Sequence, residues 1–391
     1  MSKGRIADIE ILRGFAVLFV VLHHAHGNLI SWSSPGLDVF SAYFAGGFGV
    51  DLFLAISGFV IARDLLPRLG ACADAGSAWR TTLAFWVRRA WRLLPSAWFW
   101  LAVLMLEVLF FNGSGVFGSV QANIDASVAA VLQLANLRFA ETFGSSEYGA
   151  SFVYWSLSLE EQFYLLLPLL VLLSRRFLPY VLIVLVVLQL FATRNLLTVM
   201  FRSDALMLGV LLAIWSRTAF YQRLRPQLFS RLPGLGALTL LALSALMGAF
   251  WSDALDVGLY KFSLIAVGSA LLVWIASYDA DVLLPGDWLR KLMIWVGSRS
   301  YAIYLIHIPA FFTTREIWFR LYPGVAPDDR FFYPFVLSAT LLIIVLSELN
   351  FRWLETPLRL RGAAIARRLA GEPVSRAESK VGQPLGGSHV Q

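Results

Sequence analysis

The chain has 391 residues, 58% of them hydrophobic and 15% charged, with a mean hydropathy of +0.70; these values exclude a water-exposed globular surface and make lipid the solvent. A formal net charge of +7 would point to nucleic acid in a soluble protein. Here the basic residues are sorted by loop, so nucleic acid is excluded as a partner and the charge is read as topology. A lone cysteine, Cys72, rules out an intramolecular disulfide and deprives a structural zinc site of thiolates, so no metal is expected.

Apolar stretches long enough to cross a ~30 Å hydrocarbon layer are read at 9–29, 44–66, 92–111, 155–174, 177–193, 203–216, 234–251, 259–277, 293–313 and 332–351. The expected fold is therefore an all-α integral membrane bundle of about ten transmembrane helices. Segment 203–216 is the shortest, and 126–139 reads as re-entrant or interfacial. The amino terminus carries Lys3 and Arg5 and then an apolar run with Arg13 inside it and no small-residue cleavage site, so the first span is expected to remain.

Ionisable residues within spans cost several kcal/mol unless paired or facing water, which makes each a functional candidate. In the first span Arg13 and His24 are separated by about 1100° of helix, within about 20° of three full turns, and by roughly 16 Å along the axis. They share a face; His23 lies about 100° away and His26 nearly opposite. The alternative is that the histidines only cap the helix at the interface. In the second span Asp51 lies at a depth similar to His24, so its carboxylate is expected to orient that imidazole, or else to make a helix-packing hydrogen bond.

At the edge of the third span, Arg89 and Arg92 share a helix face at i, i+3. Paired guanidinium groups suit phosphate, and equally suit lipid head groups. The fourth span opens Trp155-Ser156-Leu157-Ser158-Leu159-Glu160-Glu161-Gln162-Phe163-Tyr164, and its adjacent acids point about 100° apart, so one must face the bundle interior. Glu160 joins the candidate catalytic set. The ninth span carries Ser298-Arg299-Ser300-Tyr301 near one end and His307 further along; the serines are ligand donors or interhelical contacts. Glu348 and Glu355 near the last span read as salt-bridge partners for arginines.

With the amino terminus inside, 23 of the 32 Lys+Arg residues fall in cytoplasmic segments, which puts both termini in the cytoplasm. Residues 1–360 form the expected membrane domain. Residues 361–391, rich in Arg, Ala, Gly and Ser, are expected to be a mobile basic tail.

Taken together these motifs resemble the membrane-bound acyltransferase family 3, the bacterial integral-membrane O-acyltransferases. The matching elements are Arg13 and His24 with ten residues between, Gly49-Val50-Asp51-Leu52-Phe53 through Gly58-Phe59, Arg89 and Arg92 with Pro95, Trp155 through Tyr164, Ser298-Arg299-Ser300 with Tyr301 through His307, and Glu355-Thr356-Pro357. The resemblance covers about residues 6 to 360. It implies a multi-pass enzyme of the bacterial inner membrane that takes acetyl-CoA as acyl donor and a glycan or lipid-linked sugar as acceptor. It also implies His24 as the catalytic base with Arg13 as partner, and Arg89, Arg92, Ser298 and Ser300 as donor-binding residues. Leu54-Ala55-Ile56 departs from the usual Phe-Val-Leu, a change of packing rather than chemistry. Acceptor recognition is expected from the helical core and its outer loops, notably 112–154.

The expected mechanism has His24 remove a proton from an acceptor hydroxyl while Asp51 holds the imidazole. It requires one continuous tunnel from the arginines to His24. The competing class is a proton-coupled membrane transporter, which intramembrane His, Arg and Asp would also suit. No inverted repeat or paired broken helices favour it. Oligomeric state and acceptor identity are not legible.

Overall fold

A computed structural model describes residues 6–232, 234–284 and 286–371. Among them there is no β-strand, only an isolated bridge between His26 and Ile30. The helices are α1 (Ala7–Asn28), α2 (Pro35–Tyr43), α3 (Gly49–Gly70), α4 (Ala75–Phe110), α5 (Val120–Val131), α6 (Ala135–Thr142), α7 (Tyr154–Ser174), α8 (Leu178–Phe191) and α9 (Leu196–Met200). They continue with α10 (Asp204–Trp215), α11 (Ala219–Arg223), α12 (Gln227–Arg231), α13 (Leu235–Trp251), α14 (Lys261–Ala276), α15 (Asp287–Ser298), α16 (Ser300–Leu321), α17 (Phe332–Leu349) and α18 (Thr356–Ala370).

Six helical stretches among the described residues are long and apolar enough to cross a membrane, seven if α2 and the bent segment Gly46–Gly70 make one span. The difference from ten has identifiable causes. Residues 155–174 and 177–193 fall in one continuous stretch, Tyr154–Phe191, interrupted by a single turn at Arg175–Phe177 where Arg175 takes a positive φ of 46°. The α13 helix has only 17 residues. Segment 293–313 is broken at Arg299, and α16, which begins there, carries Arg315, Glu316 and Arg320 in its last two turns. Segment 126–139 forms parts of two short helices, α5 and α6, rather than a span.

At 36 residues α4 is about 54 Å long, far more than a bilayer core needs. Its first half holds Arg80, Arg88, Arg89 and Arg92, and its apolar half follows Pro95. It begins with a capping box in which Asp74 accepts from the Ser77 backbone N–H and Ser77 Oγ accepts from the Asp74 N–H. That backbone hydrogen bond holds the Asp74 carboxyl below the usual carboxylate range.

The charged half of α4 is covered by α18, where Gly362 sits against the Trp91 side chain and Ala366 is buried. This corrects the expectation of mobile chain from residue 361: the segment through Ala370 is a packed helix. Gly362 and Ala366, spaced i, i+4, form a small-residue face that composition alone hides. Residues 372–391 of the expected tail, together with Lys3 and Arg5, lie outside the described residues.

The most extensive seam of the bundle runs between α3 and α10. A Cβ on Gly58 would lie 2.0 Å from the Leu206 carbonyl oxygen, and one on Gly209 would lie 2.2 Å from the Ala55 carbonyl oxygen. Both obstacles are backbone, so two helices approach where neither has a side chain. Ala55 belongs to the Leu54-Ala55-Ile56 departure, and all three of its residues are buried here. Gly209→Val is therefore expected to cost 3 kcal/mol or more, since inserted methyls in a close-packed core cost about 1–3 kcal/mol even where side chains can yield. Gly36→Ala, with nothing within 4 Å of the added atom, serves as the neutral control. Size-exclusion recovery after a heating series reads the difference, and equal recovery of the two variants would contradict the seam.

Candidate active site

Two cavities that carry ionisable groups lie along the bundle. The first is lined by Arg13 from α1, Ser57 from α3, Arg89 and Arg92 from α4, Glu160 and Tyr164 from α7, and Ser300, Tyr301 and Tyr304 from α16. Its charge is mainly cationic. The Arg13 Nη1 lies 3.9 Å from Glu10 Oε1, and Arg89 sits over the rings of Phe85 and Tyr164 at 5.6 and 5.5 Å. Glu160 is held by Ser57 Oγ and the Tyr164 hydroxyl, both donating to Oε1. The Nε of Arg92 and the Oγ of Ser300 are buried without a hydrogen-bond partner. Orphaned donors beside three guanidinium groups are what an anionic ligand would satisfy.

The second cavity, about 1000 Å³, is lined by His23, His24, His26, Asn28 and Asp38 among apolar neighbours. His26 Nε2 is 3.1 Å from Asp38 Oδ1. His24 is half-buried, with the edge of Phe152 against its ring at 5.4 Å. Its Nδ1 lies 2.9 Å from Nε2 of the fully buried His307, and the two imidazoles stack at 5.1 Å.

The hydrogen bonds fix the tautomers. His307 Nδ1 is 2.7 Å from the Tyr304 carbonyl oxygen, which can only accept, so Nδ1 carries the proton. In the neutral pair His307 Nε2 then accepts, and His24 Nδ1 must donate to it. His24 Nε2 is left with a free lone pair and makes no hydrogen bond among the described residues. Such an atom beside a roomy cavity can take a proton from a hydroxyl.

No residue lines both cavities. Between them stand Tyr304, whose ring is 5.6 Å from that of His307, and His307 itself. The Tyr304 hydroxyl is anchored by Ser156 Oγ at 2.6 Å and donates to the Val153 carbonyl at 2.9 Å. The single open tunnel expected from the sequence is not met: the arginines and His24 are separated by a wall of α16 side chains.

An acyltransferase domain family model matches residues 6–349. The chain belongs to the acyltransferase 3 family. Its curated relatives include the O-acetyltransferase OatA of Staphylococcus aureus, 27% identical, covering 92% of this chain and 58% of the relative. Also matched are a putative peptidoglycan O-acetyltransferase, YrhL, of Bacillus subtilis (27%, 91% and 55%) and the peptidoglycan O-acetyltransferase OatA of Listeria monocytogenes (25%, 92% and 57%). The chain thus spans a little over half the length of these relatives. No solved structure matches it significantly.

Within this acyltransferase 3 chain, the residues read from sequence divide. Arg13, Arg89, Arg92, Glu160 and Ser300 come together in the first cavity, and His24 lines the second. Ser298 does not join Ser300: it donates to the Trp295 carbonyl at 2.8 Å and accepts from Arg299 at 2.7 Å, and Arg299 is paired with Glu348. Asp51 does not hold the imidazole. Its two oxygens accept from Arg202 Nε and Nη2 at 2.8 and 2.9 Å, both residues being fully buried. Depth along a span was readable for Asp51, but its partner stands 151 positions away in a segment read as a loop. The neighbour of His24 is His307, to which the sequence assigns no role. Its i, i+3 spacing from Tyr304 was the signal available.

Proposed function

We propose that the chain is a multi-pass O-acyltransferase of the bacterial inner membrane that moves an acetyl group from acetyl-CoA to a hydroxyl of a cell-envelope carbohydrate. The observation that carries this reading is His24 Nε2, left free by the His24–His307–Tyr304 chain at the edge of a cavity, in a member of the acyltransferase 3 family. The names of two relatives make peptidoglycan one acceptor to try first. Ten spans follow if Tyr154–Phe191 divides at Arg175, and if α13, α16 and the bent α2–α3 segment each cross. Both termini and the arginine mouth are then cytoplasmic, where the donor is made.

The arginines and orphaned donors of the first cavity support assigning the donor to it. Arg89 and Arg92 would bind the phosphates, with Arg13 and Ser300 deeper along the same space. The thioester supplies an activated acyl carbon with a good leaving group. His24 Nε2 removes the acceptor hydroxyl proton as the oxygen bonds to that carbon, and then returns it to the departing thiolate as the C–S bond breaks. The reading requires the Tyr304–His307 wall to open when both substrates are present.

Purified full-length protein in proteoliposomes, given radiolabelled acetyl-CoA and glycan strands, is expected to leave label on the glycan. Glycan that stays unlabelled, or solute flux in the absence of donor, would favour the carrier. Arg92→Ala is expected to raise KM for acetyl-CoA about tenfold or more, since a charge-assisted hydrogen bond contributes about 1.5–3 kcal/mol. With donor saturating, kcat should change little; unchanged KM would remove the donor from this cavity.

A further inference from the structure

We propose that a third cavity, at the His24 end of α16, is a saccharide subsite that selects glycans carrying a carboxylate or another sugar-borne anion; this rests on the acyltransferase reading above. Ser114, Arg315, Trp318, Tyr322 and Phe331 are among the residues that line the cavity. Arg315 is half-buried and has no carboxylate partner among the described residues. The acids around it are committed elsewhere. Glu316 accepts from the Gly113 and Ser114 backbone N–H groups, from Ser114 Oγ and from Arg320. Asp329 accepts from Trp32 Nε1, and Asp328 is paired with Arg330.

A half-buried guanidinium without a counter-charge favours an anion that supplies the missing partner. The rest of the cavity narrows the class of that anion. Trp318, Tyr322 and Phe331 form a cluster of aromatic rings, with Trp318 and Tyr322 stacked at 5.6 Å. Flat aromatic walls with a few polar groups suit the apolar ring face of a sugar and orient it through its substituents.

The position suits an acceptor. Arg315 Nη1 donates to the Asn28 carbonyl at 3.1 Å, and Asn28 Nδ2 donates to the His24 carbonyl at 2.9 Å while lining the His24 cavity. Arg315 lies eight residues beyond His307 on one helix, about 12 Å along its axis. The Arg315 and His24 cavities share no lining residue, and Asn28 is the link through which a charged sugar at Arg315 would sit next to the His24 cavity. Ser114 and Val116 bring segment 112–154, from which acceptor recognition is expected, into the cavity wall.

The test is calorimetric titration of the full chain, in phosphatidylcholine nanodiscs, with cellobiose and with its glucuronate counterpart, cellobiouronic acid. Wild type is expected to bind the acid at least tenfold more tightly. Arg315→Gln should reduce acid binding to the cellobiose level, and Arg315→Lys should keep part of the preference, which also reports that the site is folded. Equal binding of the two sugars by wild type, or a preference that survives in Arg315→Gln, overturns the proposal. Repeating the titration in phosphatidylglycerol nanodiscs should leave the preference intact. Its disappearance there would assign the cavity to a lipid head group and overturn the saccharide subsite. Because binding is read without turnover, failure of acyl transfer and failure of this inference are separate results.

Discussion

His24→Ala is expected to lower acyl transfer at least about a hundredfold in proteoliposomes while the protein elutes as a folded species. A positioned general base contributes about 10²–10⁴ in rate, and no other ring nitrogen in the second cavity occupies the same place. His26 is engaged with Asp38, and the His23 ring lies 5.3 Å from that of His24. The fold should survive because His24 is half-buried beside open volume, so its removal enlarges a cavity already present instead of opening a new one. His307→Ala should cost less, about ten- to a hundredfold, by releasing the His24 ring from its tautomer and orientation without removing the base. His307→Gln restores a side-chain acceptor and should recover part of the loss, whereas a purely structural role for His307 would be blind to that difference. Turnover by His24→Ala within tenfold of wild type would remove His24 from the chemistry.

That pair of histidines also marks the boundary of what the sequence discloses. Helical geometry places Arg13 and His24 on one face because that relation is local, governed by 100° per residue within one element. The same holds for Arg89 and Arg92, and all four line cavities. Relations between helices are different. Asp51 was matched to His24 by depth, yet its partner is Arg202; His307, 283 positions from His24, supplies the contact expected of the carboxylate. Hydropathy locates spans but not their rotation, so it names a residue's level in the bundle without naming its neighbour. The wall at Tyr304 and His307 is a packing fact of the same kind. The α18 helix is obscured for another reason: its basic composition reads as tail, while its contact with Trp91 is made at Gly362.

Breaking the Asp51–Arg202 pair is expected to destabilise the fold by about 3–5 kcal/mol, the range for a buried ion pair that loses one member. Both side chains are fully buried, and the hydrogen bonding is bidentate. The guanidinium is further enclosed by the rings of Trp155, Trp251 and Phe262 at 5.0, 5.6 and 5.0 Å. Arg202→Met strands the Asp51 carboxylate, and Asp51→Leu strands the guanidinium inside its aromatic cage. Either variant should lower the thermal midpoint in detergent sharply. The double variant, with neither charge left to desolvate, should recover at least half of that loss, because an apolar pair of similar volume often matches a buried ion pair. Additive losses in the double variant would mean that the two residues act separately. Trp251 links this pair to the candidate site, since its ring also meets the edge of His23 at 6.1 Å. A double variant that regains stability but not transfer would therefore assign the ion pair to shaping the histidine cavity, beyond joining α3 to the segment before α10.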